Sequence, residues 1–185
     1  MDIFEGGDWN KKHALRHLDS VSLLNTAKFK LENEQDEEES EIDELFVNNA
    51  GLVIVSTFLP RLFERLGYLE EGVFRDKTSA KRAIHVLEYL VIGGEEYEEI
   101  HLPLNKILCG LDINEVVNND FQITEAEKEE CESLLKAVIN NWSVLKNTSI
   151  EGLRTSFIQR KGKLTKNEDN WNLLVERKTF DVLIN

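Results

Sequence analysis

The stretch Thr124-Glu-Ala-Glu-Lys-Glu-Glu-Cys-Glu-Ser-Leu-Leu-Lys-Ala-Val-Ile-Asn-Asn-Trp142 decides the fold class. Its first four residues have capping-box spacing: the Thr124 hydroxyl can accept from the Glu127 amide while the Glu127 carboxylate reaches back to the cap's own amide. Cys131, Leu134, Leu135, Val138, Ile139 and Trp142 then recur every three to four residues between polar ones, so they line the inward face of an amphipathic helix.

Upstream, the same logic predicts more helices. Thr78 caps a run whose Ala80, Ala83, Ile84, Leu87, Leu90 and Val91 form one apolar face, stopped by Gly93-Gly94. Pro103 opens a short helix over Leu104–Cys109, closed by Gly110. Phe58, Leu59, Leu62, Phe63 and Leu66 describe another, with Pro60 in its first turn and Gly67 beyond its end. Before it, Asn48-Asn49-Ala50-Gly51 is a turn-like break, and Leu52–Val55 suits a strand or a buried helix. Leu134, Leu135, Val138, Trp142, Phe58, Leu62 and Phe63 are the expected core.

Downstream, Thr148 to Glu151 repeats the capping-box spacing ahead of Leu153, Phe157 and Ile158. The period then changes. Lys161–Leu164 and Trp171–Arg177 flank a polar Asn167-Glu-Asp-Asn170 turn, and Trp171, Leu173 and Val175 alternate as in a β-hairpin. Phe180, Val182 and Ile184 alternate too. The expected fold is mainly α with a small C-terminal β-hairpin element, an α+β arrangement.

Trp9 to Leu31 reads as an N-terminal helical arm with a loose apolar face of Leu15, Leu18, Leu23, Leu24 and Ala27. Between Glu32 and Glu44 there are nine acids and no base. Such a block repels itself and buries nothing, so it reads as a linker, or as a docking strip for a basic partner. The expected organisation is an arm over residues 1–31, an acidic linker over 32–44 and a globular domain over 45–185.

Composition narrows the class. Of 185 residues, 41% are hydrophobic, enough to close a core, and the net charge of −13 opposes nucleic-acid binding. The apolar run from Leu52 is broken by Ser56, Thr57 and Pro60 well short of a membrane span, and the acidic start lacks a signal peptide's basic and apolar regions. Two cysteines fit a reducing compartment. Glu95–Glu132 holds twelve acids against Lys106 and Lys128, whereas Lys146–Lys178 holds eight bases against four acids. Opposed faces of this kind suit head-to-tail or ring contacts between copies.

The residues offer little for catalysis. His13 and His17 have helical i, i+4 spacing, but no further ligand completes a metal site. Cys109 and Cys131 lie among apolar neighbours and read as buried structural thiols. Walker-loop, zinc-ribbon and nucleophile-elbow motifs are absent from the sequence. Leu45-Phe-Val-Asn-Asn-Ala-Gly-Leu52 looks like a segment of short-chain dehydrogenases, yet the glycine-rich phosphate loop and the Tyr-x-x-x-Lys pair that must accompany it are missing. No enzyme, cofactor or metal is expected.

Over a longer span the ordered blocks point elsewhere. They are Val47-Asn-Asn-Ala-Gly-Leu-Val-Ile-Val55, Phe58-Leu-Pro-Arg-Leu-Phe63, Leu104-Asn-Lys-Ile-Leu-Cys-Gly110, Glu132–Trp142 with Leu145-Lys-Asn-Thr-Ser-Ile150, Gly152–Leu164, and Trp171–Leu183. Together they resemble the tape-measure-type family of bacterial contractile injection systems, over roughly residues 45–185. Within the blocks, Asn48, Asn49, Gly51, Phe58, Pro60, Phe63, Asn105, Trp142, Asn147, Arg154 and Trp171 are the candidate structural or interaction residues.

The resemblance implies a structural part of a phage-tail-like particle, built in the bacterial cytoplasm. Its partners would be tube, cap or baseplate proteins, with copies in a homo-oligomeric ring of three- or six-fold symmetry and no nucleic acid or membrane insertion. Chains of the family continue past the Asp181-Val-Leu183 block, and many are longer on the N-terminal side. A compact domain of this length has a radius of gyration of about 16 Å, a poor ruler for a long tube. The chain is therefore expected to be a tube-end or cap adaptor, plug or tape-measure-type terminator. The alternative is an assembly chaperone or binding module for a tube subunit that is not retained in the particle.

Overall fold

A computed structural model describes residues 44–118, 121–142, 145, 147–167, 170–178 and 181. The arm, most of the acidic tract, His13, His17 and the Phe180–Ile184 alternation lie outside these residues. Glu44, read above as the last linker residue, is the first residue of a strand, β1 (Glu44–Val47).

Two short 3-10 turns, Ala50–Ile54 and Ser56–Phe58, follow β1 where a strand or buried helix was expected. They lead into α1 (Leu59–Arg65), with Pro60 in its first turn as anticipated. Leu59, Leu62 and Phe63 are fully buried, and Phe63 packs against Phe74 at a ring separation of 5.5 Å. Phe58 departs from expectation: it is only half-buried and lies against the core from outside. A two-residue antiparallel ribbon, β2 (Leu69–Glu70) and β3 (Val73–Phe74), precedes α2 (Lys77–Ile92).

The cap of α2 is Asp76 rather than Thr78, because the Asp76 carboxylate accepts from the Ser79 amide at 2.7 Å. From Ala83 to Val91 every residue of α2 is buried, on all sides of the helix. A helix covered all round is a central one. α3 (Pro103–Leu108) and α4 (Glu125–Asn141) pack against it. α4 carries the expected capping box in full: Thr124 Oγ1 accepts from the Glu127 amide and Glu127 accepts from the Thr124 amide. The next cap was misplaced by one residue. Ser149, not Thr148, accepts from Gly152 N at 3.0 Å and starts α5 (Ile150–Leu153), which runs on into a π-helical turn over Arg154–Ile158.

β4 (Gly162–Asn167) and β5 (Asn170–Val175) form the predicted antiparallel hairpin. β1 pairs antiparallel with the other side of β4, which gives a three-stranded sheet in the order β1-β4-β5. Leu45, Leu164 and Leu173 stand in one cross-strand row against the core. Phe46, Lys163 and Leu174 form the adjacent outward row, with Phe46 and Leu174 well exposed.

Two polar clusters fasten the loops to α2. The Glu127 carboxylate accepts from Tyr68 Oη and from Arg82 Nε and Nη2. Burial pushes its pKa up, but the bonds from Arg82, Tyr68 and Thr124 outweigh that and hold it down at about 2. His85 bonds Tyr97 through Nδ1, stacks on Phe121 at 4.5 Å, and is lowered to about 4 by burial and by the nearby Arg82 charge. Burial also pushes the thiols of Cys109 and Cys131 up; both are free and buried. Among the described residues no helix is long and apolar enough to cross a membrane.

Two outcomes test this packing. Trp142 is buried and packs on Phe157 at 5.9 Å, so Trp142→Ala should lower the unfolding free energy by about 3–5 kcal/mol in urea titrations. The acid limb of stability should have two steps. His85 has a depressed folded pKa, so the unfolded chain takes up its proton first and stability declines as pH falls from about 6.5 to about 4. The Glu127 contribution, complete above about 4.5, is lost as pH falls towards 2. Glu127→Gln should shrink the lower step, to which the lowered carboxyls of Asp76, Glu99, Glu115 and Asp181 also contribute, and leave the upper one.

Candidate functional site

A helix leaves its last carbonyls without intrahelical partners. At the C-terminal end of α2 the helix's own C-cap amide and two side chains of one later segment supply donors. Gly93 N donates to Tyr89 O at 2.8 Å, Arg154 Nε to Leu90 O at 3.1 Å, and Gln159 Nε2 to Val91 O at 2.8 Å. The Arg154 guanidinium also lies over the Tyr89 ring at 5.5 Å. Gly93 is needed twice. Its backbone is left-handed, with φ of 71°, and a Cβ there would stand 2.6 Å from Arg154 Nη1.

The π-helical turn aims Arg154 at this end and presents its own backbone to the turn after β1. Ala50 N donates to Arg160 O at 2.9 Å. A Cβ on Gly51 would fall 1.8 Å from Phe157 O and 2.6 Å from Ile158 Cα, so no other residue fits. This contact positions Asn49. Its amide nitrogen donates to Asn105 Oδ1 at 2.8 Å and to His101 O at 3.2 Å. Asn105 in turn donates to Glu88 Oε2 at 2.9 Å and to Ile84 O at 3.3 Å. Three segments far apart in sequence therefore meet through two side-chain amides at one carboxylate.

Glu88 is only 2% exposed, and burial raises its pKa against the opposing effects of Asn105, His101 and Asn49. Asn49 is 3% exposed, and its Oδ1 has no hydrogen-bond partner among the described residues. Both line a cleft of about 360 Å³. Val91 and Ile92 supply apolar wall, and Lys161, Glu176, Lys178, His101 and Asn48 lie around it.

The structure thus brings Asn48, Asn49, Gly51, Asn105 and Arg154 together around the second half of α2. The remaining candidates lie elsewhere. Phe63 is core, Phe58 caps α1 and Pro60 lies in its first turn, Trp142 ends α4, Asn147 is exposed, and Trp171 is half-buried in β5. Glu88, Gln159, His101 and Glu176 were not singled out from the sequence. Glu88 left a signal there: it follows Ile84 by four residues and so lies in the apolar stripe of α2. Among the described residues no group of three His, Cys, Asp or Glu side chains is placed to hold a metal ion.

Asn105→Ala would take from Glu88 its Asn105 hydrogen bond and leave the Asn49 amide with His101 O alone, and should cost about 2–4 kcal/mol by chemical denaturation. Gly51→Ala should cost at least as much, because backbone must move to admit the methyl. A loss under about 1 kcal/mol in either variant would show that the junction relaxes freely.

No curated protein and no solved structure matches the chain. A family model described as contractile injection system tape measure protein matches residues 10–185, taking in every segment that builds the junction around α2. The chain belongs to the contractile injection system tape measure protein family, and is a structural component of such a particle.

Proposed function

We propose that the chain is a folded, non-catalytic module at an end of the particle's tube, acting as an adaptor, plug or terminator. The family match over residues 10–185 carries this reading. Dimensions support a module over a ruler: α4, the longest described helix with 17 residues, spans only about 25 Å. The inner chemistry supports a structural role. The Cys109 and Cys131 thiols are held protonated by burial, His85 is locked between Tyr97 and Phe121, and Glu127 is consumed by Arg82 and Tyr68. The partners on this reading are tube, cap or baseplate proteins and further copies of the chain in a three- or six-fold ring. Assembly takes place in the cytoplasm, and neither cofactor nor metal is required.

The acidic tract and the segment before it act as a tether outside the folded domain. Among the described residues the buried core cluster runs from Val47 to Leu173. Quantitative mass spectrometry of purified sheathed particles should find the chain at a fixed ratio to the sheath protein. A chain lacking residues 1–43 should keep its unfolding midpoint yet fall away from the particle. A full-length chain absent from mature particles but bound to free tube subunits would establish the chaperone alternative instead.

A further inference from the structure

The buried Glu88 carboxyl sets the problem. A glutamate is almost never fully buried without a charged partner, because removing its charge from water is costly. Glu88 has side-chain amides for neighbours and His101 across the cleft, but no Lys or Arg bonds it among the described residues. Beside it, Asn49 Oδ1 is a second buried acceptor without a donor. The cleft opens onto both groups, and among the described residues amides alone donate there: none reaches Asn49 Oδ1 and no cation bonds Glu88.

The wall decides which donor. Val91 and Ile92 offer a short apolar surface of the kind that covers the methylenes of a long amphipathic side chain while its head stays polar. An ammonium group carries three donors and can serve Glu88 and Asn49 Oδ1 at once. Two oxygens beside a hydrocarbon wall make a poor shell for a hard metal ion, which takes six or more.

We propose that this cleft receives a lysine side chain from a neighbouring subunit, its ammonium bonded to Glu88 and Asn49 Oδ1 and its stem against Val91 and Ile92. The Lys161 and Lys178 charges oppose an isolated cation in the cleft and favour a lysine that has an acidic neighbour in its own sequence. The source of the lysine rests on the reading of the chain as a particle component. The site itself does not, and the two fail separately, since the first is tested in particles and the second on the isolated chain.

The test is an NMR titration of the full-length isotopically labelled chain with n-butylammonium. Saturable shifts are expected at the Glu88 carboxyl and the Asn49 side-chain amide, with a Kd of about millimolar order, the strength a ligand this small can reach. Glu88→Gln keeps the shape and should weaken binding at least about tenfold. Lys161→Glu, at an exposed position, should tighten it by about threefold. The wild-type comparison with n-butanol needs no variant, and the alcohol should leave both resonances unshifted. Equal shifts from butanol would make the cleft merely apolar and overturn the proposal. So would the same shifts from sodium or magnesium, or none from butylammonium.

Discussion

The rest of the fold depends on how the last turn of α2 is closed. The carbonyls of Tyr89, Leu90 and Val91 end a stretch of α2, Ala83–Val91, in which every residue is buried. These three residues are buried, so a carbonyl left there without a donor costs about 1–3 kcal/mol. Gly93, Arg154 and Gln159 provide those donors, and two of the three come from the π-helical turn and its exit, more than 60 residues away. Closing the helix therefore fixes where the second half of the chain lies. It also holds the turn rigid enough for Gly51 to pack against its backbone, and the sheet then forms with β1 and β4 side by side.

This order of dependence explains why the cleft is well defined. Asn49 reaches Asn105 only because Gly51 lets the chain pass within contact of Phe157 and Ile158. Asn105 reaches Glu88 only because α3 packs along α2. A side chain placed by both constraints has little freedom, a property that a binding surface needs. In a structural particle component the useful property is such rigidity, and here it comes from hydrogen bonds that satisfy a buried helix end.

Local signals were legible in the sequence, and non-local ones were not. The capping box at Thr124 and Glu127, the Gly93 stop, the Pro60 and Pro103 starts and the hairpin over Gly162–Val175 each depend on a few consecutive residues. The misplaced caps show where that reasoning weakens. Asp76 and Thr78 can both cap, and only the extended backbone of Asp76 selects it; Thr148 and Ser149 compete in the same way. Pairing of β1 with β4 joins Glu44 to Thr165, and nothing in either tetrapeptide names its partner. The candidate residues Asn49, Gly51, Asn105 and Arg154 were recognised through ordered blocks of family resemblance, not through chemistry. Their proximity around the second half of α2 is a property of the fold, and Glu88, a carboxylate in an apolar stripe, was the single chemical hint of a buried polar junction there.

If the closed end of α2 is the keystone, the helical body and the sheet must open together. Native-state hydrogen exchange across a denaturant series measures this directly. The amides of Leu87–Val91 in α2 and of Leu164 and Leu173 in the sheet should exchange with one opening free energy and one denaturant dependence, equal to those of global unfolding. A sheet that opens at distinctly lower free energy while α2 stays protected would contradict the account, because the two halves would then be stabilised separately.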